Sequence, residues 1–271
     1  MRKIKLPSGI EITFEPDRHR YFRDGRQLMG VTKISDMTDE QGWRIPWAAK
    51  MARLKAEEKL LGVIKGTEAI DEINYLELAK EIGNAHKETS GTAISIGKAA
   101  HGWLETYLNY RMGKGKKPTL PLSDLVMASV TPFVEWADPI SNPEKTNNPT
   151  LKFLSSEEIV YYEGDGFDYG GTLDLRFELN GKHCIGDFKT GKQLKRGQVW
   201  QMALYALAVE QCFDRKVDKL YVFKLPKRDK PEDELTDYKM REVPFTDEFR
   251  QRAPMLAAIK SMNFQIDQSL K

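Results

Sequence analysis

The sequence predicts an α/β fold, with strands and helices interleaved along one chain of 271 residues. Three stretches predict it. Between Thr172 and Asp187 a two-residue alternation, interrupted at Asn180-Gly181, reads as a β-hairpin. Between Gly91 and Arg111, Ile96, Ala99, Ala100, Trp103, Leu104, Tyr107 and Leu108 recur at the three-and-four spacing of a helix with one apolar stripe. A third stretch, Arg196 to Phe213, carries Val199, Trp200, Ala203, Leu204 and Leu207 on one helical face and lies between strands ending at Lys189 and starting at Leu220.

The hairpin carries the chemistry. Leu173, Leu175, Phe177 and Leu179 alternate with Thr172, Asp174, Arg176 and Glu178, which predicts one buried face. Asn-Gly favours a type I′ turn because both central residues need positive φ. A two-residue turn sets Leu179 opposite Lys182, Arg176 opposite Ile185 and Asp174 opposite Asp187. Opposed residues have β-carbons about 4.5–5.5 Å apart, where like charges destabilise unless neutralised. A divalent cation such as Mg2+ or Mn2+, which prefers oxygen ligands, would neutralise them. Lys189 follows on the same face, about 6.6 Å along the strand. Two carboxylates, an ion and an ammonium form a site for phosphodiester hydrolysis, whereas a solvated hairpin is the bland alternative.

The totals are compatible with this reading. Apolar residues make up 40% and charged residues 30% of the chain, a globular composition. A formal charge of +2 neither requires nor excludes DNA, because a locally basic cleft is what phosphates need. Cys184 and Cys212 form no CxxC or Cys/His cluster, which points to reduced thiols and no iron–sulfur cluster. No apolar run reaches membrane-spanning length and the first residues lack a signal-peptide pattern, so a cytoplasmic protein is expected.

In chain order, Ile10–Phe14 reads as a strand, and Arg20–Phe22 with Leu28–Val31 as a hairpin with its turn at Asp24-Gly25. Thr32 is expected to cap a helical turn. Trp43 and Trp47 flank Pro46 at a helix start, either packing together or stacking on bases. Helices follow over Ala48–Leu61, Ile70–His86, Gly91–Arg111 and Leu122–Trp136. The basic loop at Arg111, Lys114, Lys116 and Lys117 is a candidate phosphate contact or a solvated loop. A strand at Ile159–Tyr162 precedes the hairpin, and one at Met240–Val243 precedes a last helix from Thr246 to Met262.

Several residues flank the proposed site. His101 borders the apolar stripe of its helix, either as a packing histidine or as one that approaches a buried site. Glu157 is preferred over Glu158 as a third acid. Gln198, Gln201 and Tyr205 share a polar helical face that can return over the hairpin.

Taken in order, Gly97-Lys98-Ala99-Ala100-His101, Glu157, Gly171-Thr172-Leu173-Asp174, Asp187-Phe188-Lys189-Thr190-Gly191 and Gln201-Met202-Ala203-Leu204-Tyr205 resemble the motifs of the PD-(D/E)XK nuclease superfamily. The branch they resemble is the RecB/Cas4-like one, with its phage-type and mitochondrial single-strand DNA exonucleases. The resemblance covers about residues 91–225. It implies a restriction-endonuclease-like core, a central mixed β-sheet flanked by helices, preceded by an N-terminal β-hairpin and helical region. It implies one nuclease domain over 1–271, with an N-terminal region to residue 90, a catalytic core over 91–225 and a C-terminal strand and helix over 226–271. Asp174, Asp187, Glu157, His101 and the backbone carbonyl of Phe188 are then Mg2+ or Mn2+ ligands. Lys189 assists the attacking water, and Gln198, Gln201, Tyr205 and Lys192 contact substrate. The cysteines that hold a cluster in part of that branch are missing, so no iron–sulfur cluster is carried over.

The function so implied is a metal-dependent DNA exonuclease of recombination, repair or replication in a bacterial or phage-infected cell. Its partner is DNA that is single-stranded or has a free end, together with a recombination or replication protein. The alternatives are an endonuclease for flaps or branches and a non-catalytic DNA-binding or assembly protein on a nuclease fold.

Overall fold

The computed structural model of the chain describes residues 1–39, 44–65, 72–120, 123–138, 150–190, 193–227 and 234–270. Strands β1 (Arg2–Lys5), β2 (Glu11–Glu15), β3 (Arg20–Arg23) and β4 (Arg26–Gln27) form an antiparallel sheet in that order. At the β3–β4 turn Asp24 and Gly25 have φ of 49° and 78°, the double positive φ that a type I′ turn requires. The chain continues through β5 (Met29–Gly30), α1 (Val31–Ser35), α2 (Arg44–Ile64), α3 (Glu72–Arg111) and α4 (Asp124–Ala137). Then come β6 (Lys152–Gly164), β7 (Phe167–Leu179), β8 (Lys182–Lys189), α5 (Arg196–Phe213), β9 (Lys219–Lys224), β10 (Lys239–Val243) and α6 (Asp247–Ser269).

The fold is α/β, with a central mixed sheet flanked by helices and an N-terminal antiparallel sheet. The central sheet runs β10-β9-β8-β7-β5, with β6 also paired to β7. Pairs β6–β7, β7–β8 and β9–β10 are antiparallel, whereas β8–β9 and β5–β7 are parallel. Parallel neighbours need a crossover, and α5 supplies it between β8 and β9. The packing divides into two compact units, residues 1–39 with 99–271 and residues 40–98. The smaller contains α2 and the first part of α3, joined by a Lys59–Glu81 ion pair of 3.5 Å.

In the larger unit, Leu173, Ile185 and Val222 of the sheet share a core with Met202, Leu204 and Val209 of α5. A second, aromatic layer joins Phe133 of α4 to Phe188 and Phe223, with ring centroids 4.9 and 5.1 Å apart. Phe177 belongs to this layer through Trp136 and Phe223. Burying such a phenylalanine contributes about 1.5–3 kcal/mol.

Several elements differ from the sequence reading. A single α3 replaces the two helices expected over 70–111. Its Lys87–Gly91 stretch contains no proline, and one internal glycine costs only about 1 kcal/mol. Strand β6 is much longer than Ile159–Tyr162 and α6 extends past Met262 to Ser269. Thr32 lies within α1, whose N-cap is Gly30. The single buried face expected of β7 is also corrected. Residues 168–173 are buried without alternation, and Leu173 joins the α5 core while Phe177 joins the aromatic layer. The strand changes sides between them, at Asp174.

Candidate metal centre

The β7–β8 hairpin has the register its turn dictates: Leu179 faces Lys182 and Arg176 faces Ile185, with Asn180 and Gly181 at φ of 51° and 74°. The antiparallel ladder ends at Leu175–Gly186, one pair before Asp174 would meet Asp187. Beyond it β8 pairs with β9, Asp187 opposite Val222 and Lys189 opposite Lys224. The vacated edge of β7 is taken up by β5 at Tyr169 and Gly170. Asp174 therefore sits where two strands part. Its Oδ2 accepts the Phe188 N–H at 2.7 Å, so a side chain substitutes for the missing ladder bond.

Glu157 comes from the other neighbour of β7. Ser156 pairs with Leu175 and Glu158 with Leu173, which sets Glu157 opposite Asp174. Its φ is 49°, a left-handed conformation that costs a non-glycine residue about 1–2 kcal/mol. Glu158 turns elsewhere, with its carboxylate on Arg176 at 2.8 Å and on Ser155. From α3, His101 brings Nδ1 to 3.6 Å from Asp174 Oδ2, and its ring meets Phe188 edge to face. One ligand atom from each of His101, Glu157 and Asp174 lies within 4.8 Å of the other two.

Asp187 stands beside this trio and is 2% exposed. Its Oδ2 lies 2.7 Å from Lys189 Nζ, a buried ion pair. Burial, then Asp174, Glu105 and Asp187, push Glu157 up to about 8. Burial also raises Asp187 to about 6, although Lys189 pulls it down. Lys189 loses solvation, yet Asp187 and Asp174 outweigh that loss and its pKa is raised.

The residues fit a divalent cation on two counts. Two carboxylates and an imidazole converge on one point, and burial together with the facing Asp174 raises Glu157, a crowding that a cation would relieve. Both cysteines are buried and unbonded to each other, with Cys212 Sγ on the backbone of Tyr161.

Helix α5 covers the site with Tyr205 and Gln201. Gly171 makes room for Tyr205 and Val31: a β-carbon there would lie 2.6 Å from Tyr205 Cε1 and 2.9 Å from Val31 Cγ2. Burial, with Tyr21, Asp187 and Asp174 nearby, holds the Tyr205 hydroxyl protonated far above its ordinary range. Gln201 Nε2 reaches Thr32 Oγ1 at 3.4 Å. Gln198 is in the first turn of α5, where its Oε1 accepts the Lys195 N–H. Lys192 and Trp43 lie outside the described residues. Of the basic loop, Arg111 pairs with Asp138 at 3.7 Å and Lys114 reaches Leu154 O, in a groove with Lys152 and Phe153.

Sequence reasoning missed four contributors. Glu105, one helical turn beyond His101, acts on Glu157, and its i+4 spacing from His101 was a signal. Asp36 acts on Lys189, Asp39 Oδ1 accepts the Gly197 N–H at the start of α5, and Tyr21 O–H pairs with Thr172 Oγ1 at 2.7 Å. These three act across long sequence separations that carry no local pattern.

No model of a known protein family matches the sequence, and no curated protein matches it. Among solved structures, one similar chain is described as a "putative exonuclease" from Eubacterium rectale. It is 16% identical, with a TM-score of 0.34, over 64% of this chain and 65% of that one. The chain thus spans less than two thirds of that protein's length. Among the described residues no helix is long and apolar enough to cross a membrane.

Proposed function

We propose that the chain is a Mg2+- or Mn2+-dependent deoxyribonuclease working from strand ends in DNA recombination, repair or replication, in the cytoplasm. The observation that carries the reading is the convergence of His101, Glu157 and Asp174 within 4.8 Å, next to the Asp187–Lys189 ion pair. The motif resemblance supplies the exonuclease part of the reading.

His101, Glu157 and Asp174 would hold the ion, with Asp187 and the Phe188 carbonyl at its edge. When bound, a divalent cation polarises a phosphodiester and makes water a stronger nucleophile. The rest belongs to the chain. Lys189, kept charged by Asp187 and Asp174, donates to the attacking water or to a non-bridging phosphate oxygen as negative charge grows there. Asp187 fixes that ammonium in place at 2.7 Å. Tyr205 stays a protonated donor, and with Gln201 it bounds the site from α5 without adding charge. The strained Glu157 backbone holds a carboxylate opposite Asp174, a pairing a regular strand would avoid.

The test is digestion of end-labelled linear and covalently closed single-stranded DNA, with Mg2+, with Mn2+ and with chelator. Metal-dependent release of short products from linear DNA alone is expected. Cleavage of the closed circle would replace the exonuclease reading with an endonuclease, and inertness towards every substrate would leave a non-catalytic DNA-binding protein.

A further inference from the structure

Beside the proposed metal centre, Lys189, Gln193, Gln198, Lys224, Lys239 and Arg241 line a cleft of about 380 Å3. Its floor follows from strand register. Lys189 pairs with Lys224 across β8–β9, and Lys224 pairs with Lys239 across β9–β10, so three lysines form one row over three adjacent strands. Arg241 lies in the next row on this face, opposite Val222, which in turn faces Asp187. Like charges directly opposed in a sheet destabilise it. Among the described residues, no carboxylate forms an ion pair with Lys224 or Arg241, and Lys239 meets only Asp237, at 3.7 Å. Glu242, the nearest acid on β10, is held by Lys219 at 2.8 Å, and its neighbour across the ladder is Tyr221 rather than a member of the row. Among the described residues Lys224, Lys239 and Arg241 therefore leave this face with a net positive charge, and Lys189, paired with Asp187, is its inner end.

We propose that this row is the track for the phosphodiester backbone of a single DNA strand, leading from the metal centre across β9 and β10. The proposal rests on the nuclease reading for the direction of the track, because Lys189 belongs to both sites. Strands lie about 4.8 Å apart, so the row spans roughly 10 Å. A single phosphate cannot bridge that distance, whereas consecutive phosphates of one strand can. Gln193 and Gln198 on the opposite wall can donate to phosphate or sugar oxygens without adding charge.

The experiment is fluorescence-anisotropy binding of a labelled oligothymidylate across a range of salt concentrations, in chelator, for wild type, Lys239→Gln/Arg241→Gln and Lys239→Arg/Arg241→Lys. Each phosphate contact on a single strand contributes about 0.7 to the slope of log K against log salt, so the neutral double variant should lose about 1.4 in slope and bind on the order of tenfold more weakly near 0.1 M salt. The charge-conserving variant should keep the wild-type slope, and the neutral variant should melt no lower than wild type because it relieves opposed charges. An unchanged slope in the neutral variant, or no binding by wild type, overturns the track. So does displacement of the probe by thymidine monophosphate at equal phosphate concentration, since one phosphate would then satisfy the row. Chelator removes cleavage from the measurement, so the two readings fail separately. A lost slope in a protein that cuts nothing refutes only the nuclease, and metal-dependent cutting with an unchanged slope refutes only the track.

Discussion

Without metal, the site should make the protein less stable as pH rises. Glu157 goes from 4.5 to about 8 on folding, and Asp187 from 3.8 to about 6, both chiefly through burial. The folded state thus binds more protons than the unfolded chain. For Glu157 the associated stability is present below pH 4.5 and is lost as pH climbs towards 8; for Asp187 the window is 3.8 to 6. One pKa unit is about 1.4 kcal/mol, and because the acids interact their contributions do not sum, so the loss is about 5 kcal/mol in all, close to that of Glu157 by itself. In a domain of this size that is a fall of roughly 10–20 °C in Tm. His19 and His183 act in the opposite sense, since burial lowers both and their folded states favour the neutral ring. The informative quantity is therefore the difference between wild type and Glu157→Gln. Thermal melts from pH 5 to 8.5, in chelator and in Mn2+, supply it. Wild type should lose stability relative to Glu157→Gln in chelator as pH rises, and Mn2+ should stabilise wild type more at pH 8 than at pH 5 because its ligands must be deprotonated. Parallel curves for the two proteins in chelator would refute the assignment of Glu157 to a crowded acidic centre.

Three further outcomes are expected. Asp187→Asn and Lys189→Met should each lower metal-dependent cleavage by about 10²–10³, read as initial rates on end-labelled DNA at saturating metal. Gly171→Ala should cost about 1–3 kcal/mol by denaturant titration, because its methyl would meet Tyr205 at 2.6 Å and Val31 at 2.9 Å. Glu158→Gln should leave Mn2+ affinity by calorimetry within about twofold, whereas Glu157→Gln should weaken it by at least tenfold, because Glu158 is committed to Arg176.

Local chemistry was legible in the sequence wherever one residue type satisfies a local demand. Asn180-Gly181 and Asp24-Gly25 each supply two positive-φ positions, so both turns followed from the residues alone, as did the first ladder pairs beside Asn180-Gly181; the strand after Asp24-Gly25 is Arg26–Gln27 and not the expected Leu28–Val31. The helix Arg196–Phe213 was legible because its apolar stripe and flanking strands agree. His101, Glu157 and Asp174 could be nominated because acids and a histidine beside apolar patterns stand out. What the pattern could not show is that β8 leaves β7 one pair before Asp174 reaches Asp187. Strand choice is made by competition among distant partners: β9 draws β8 away while β5 fills the edge. Only that parting sets Asp174 against Glu157 and His101, and sets Asp187 against Lys189. The lysine row is of the same kind, since Lys189, Lys224 and Lys239 become neighbours only when three strands align. Sequence determines what each segment can form and which side chains can do chemistry; long-range pairing, whose energy depends on every strand at once, decides which of them meet.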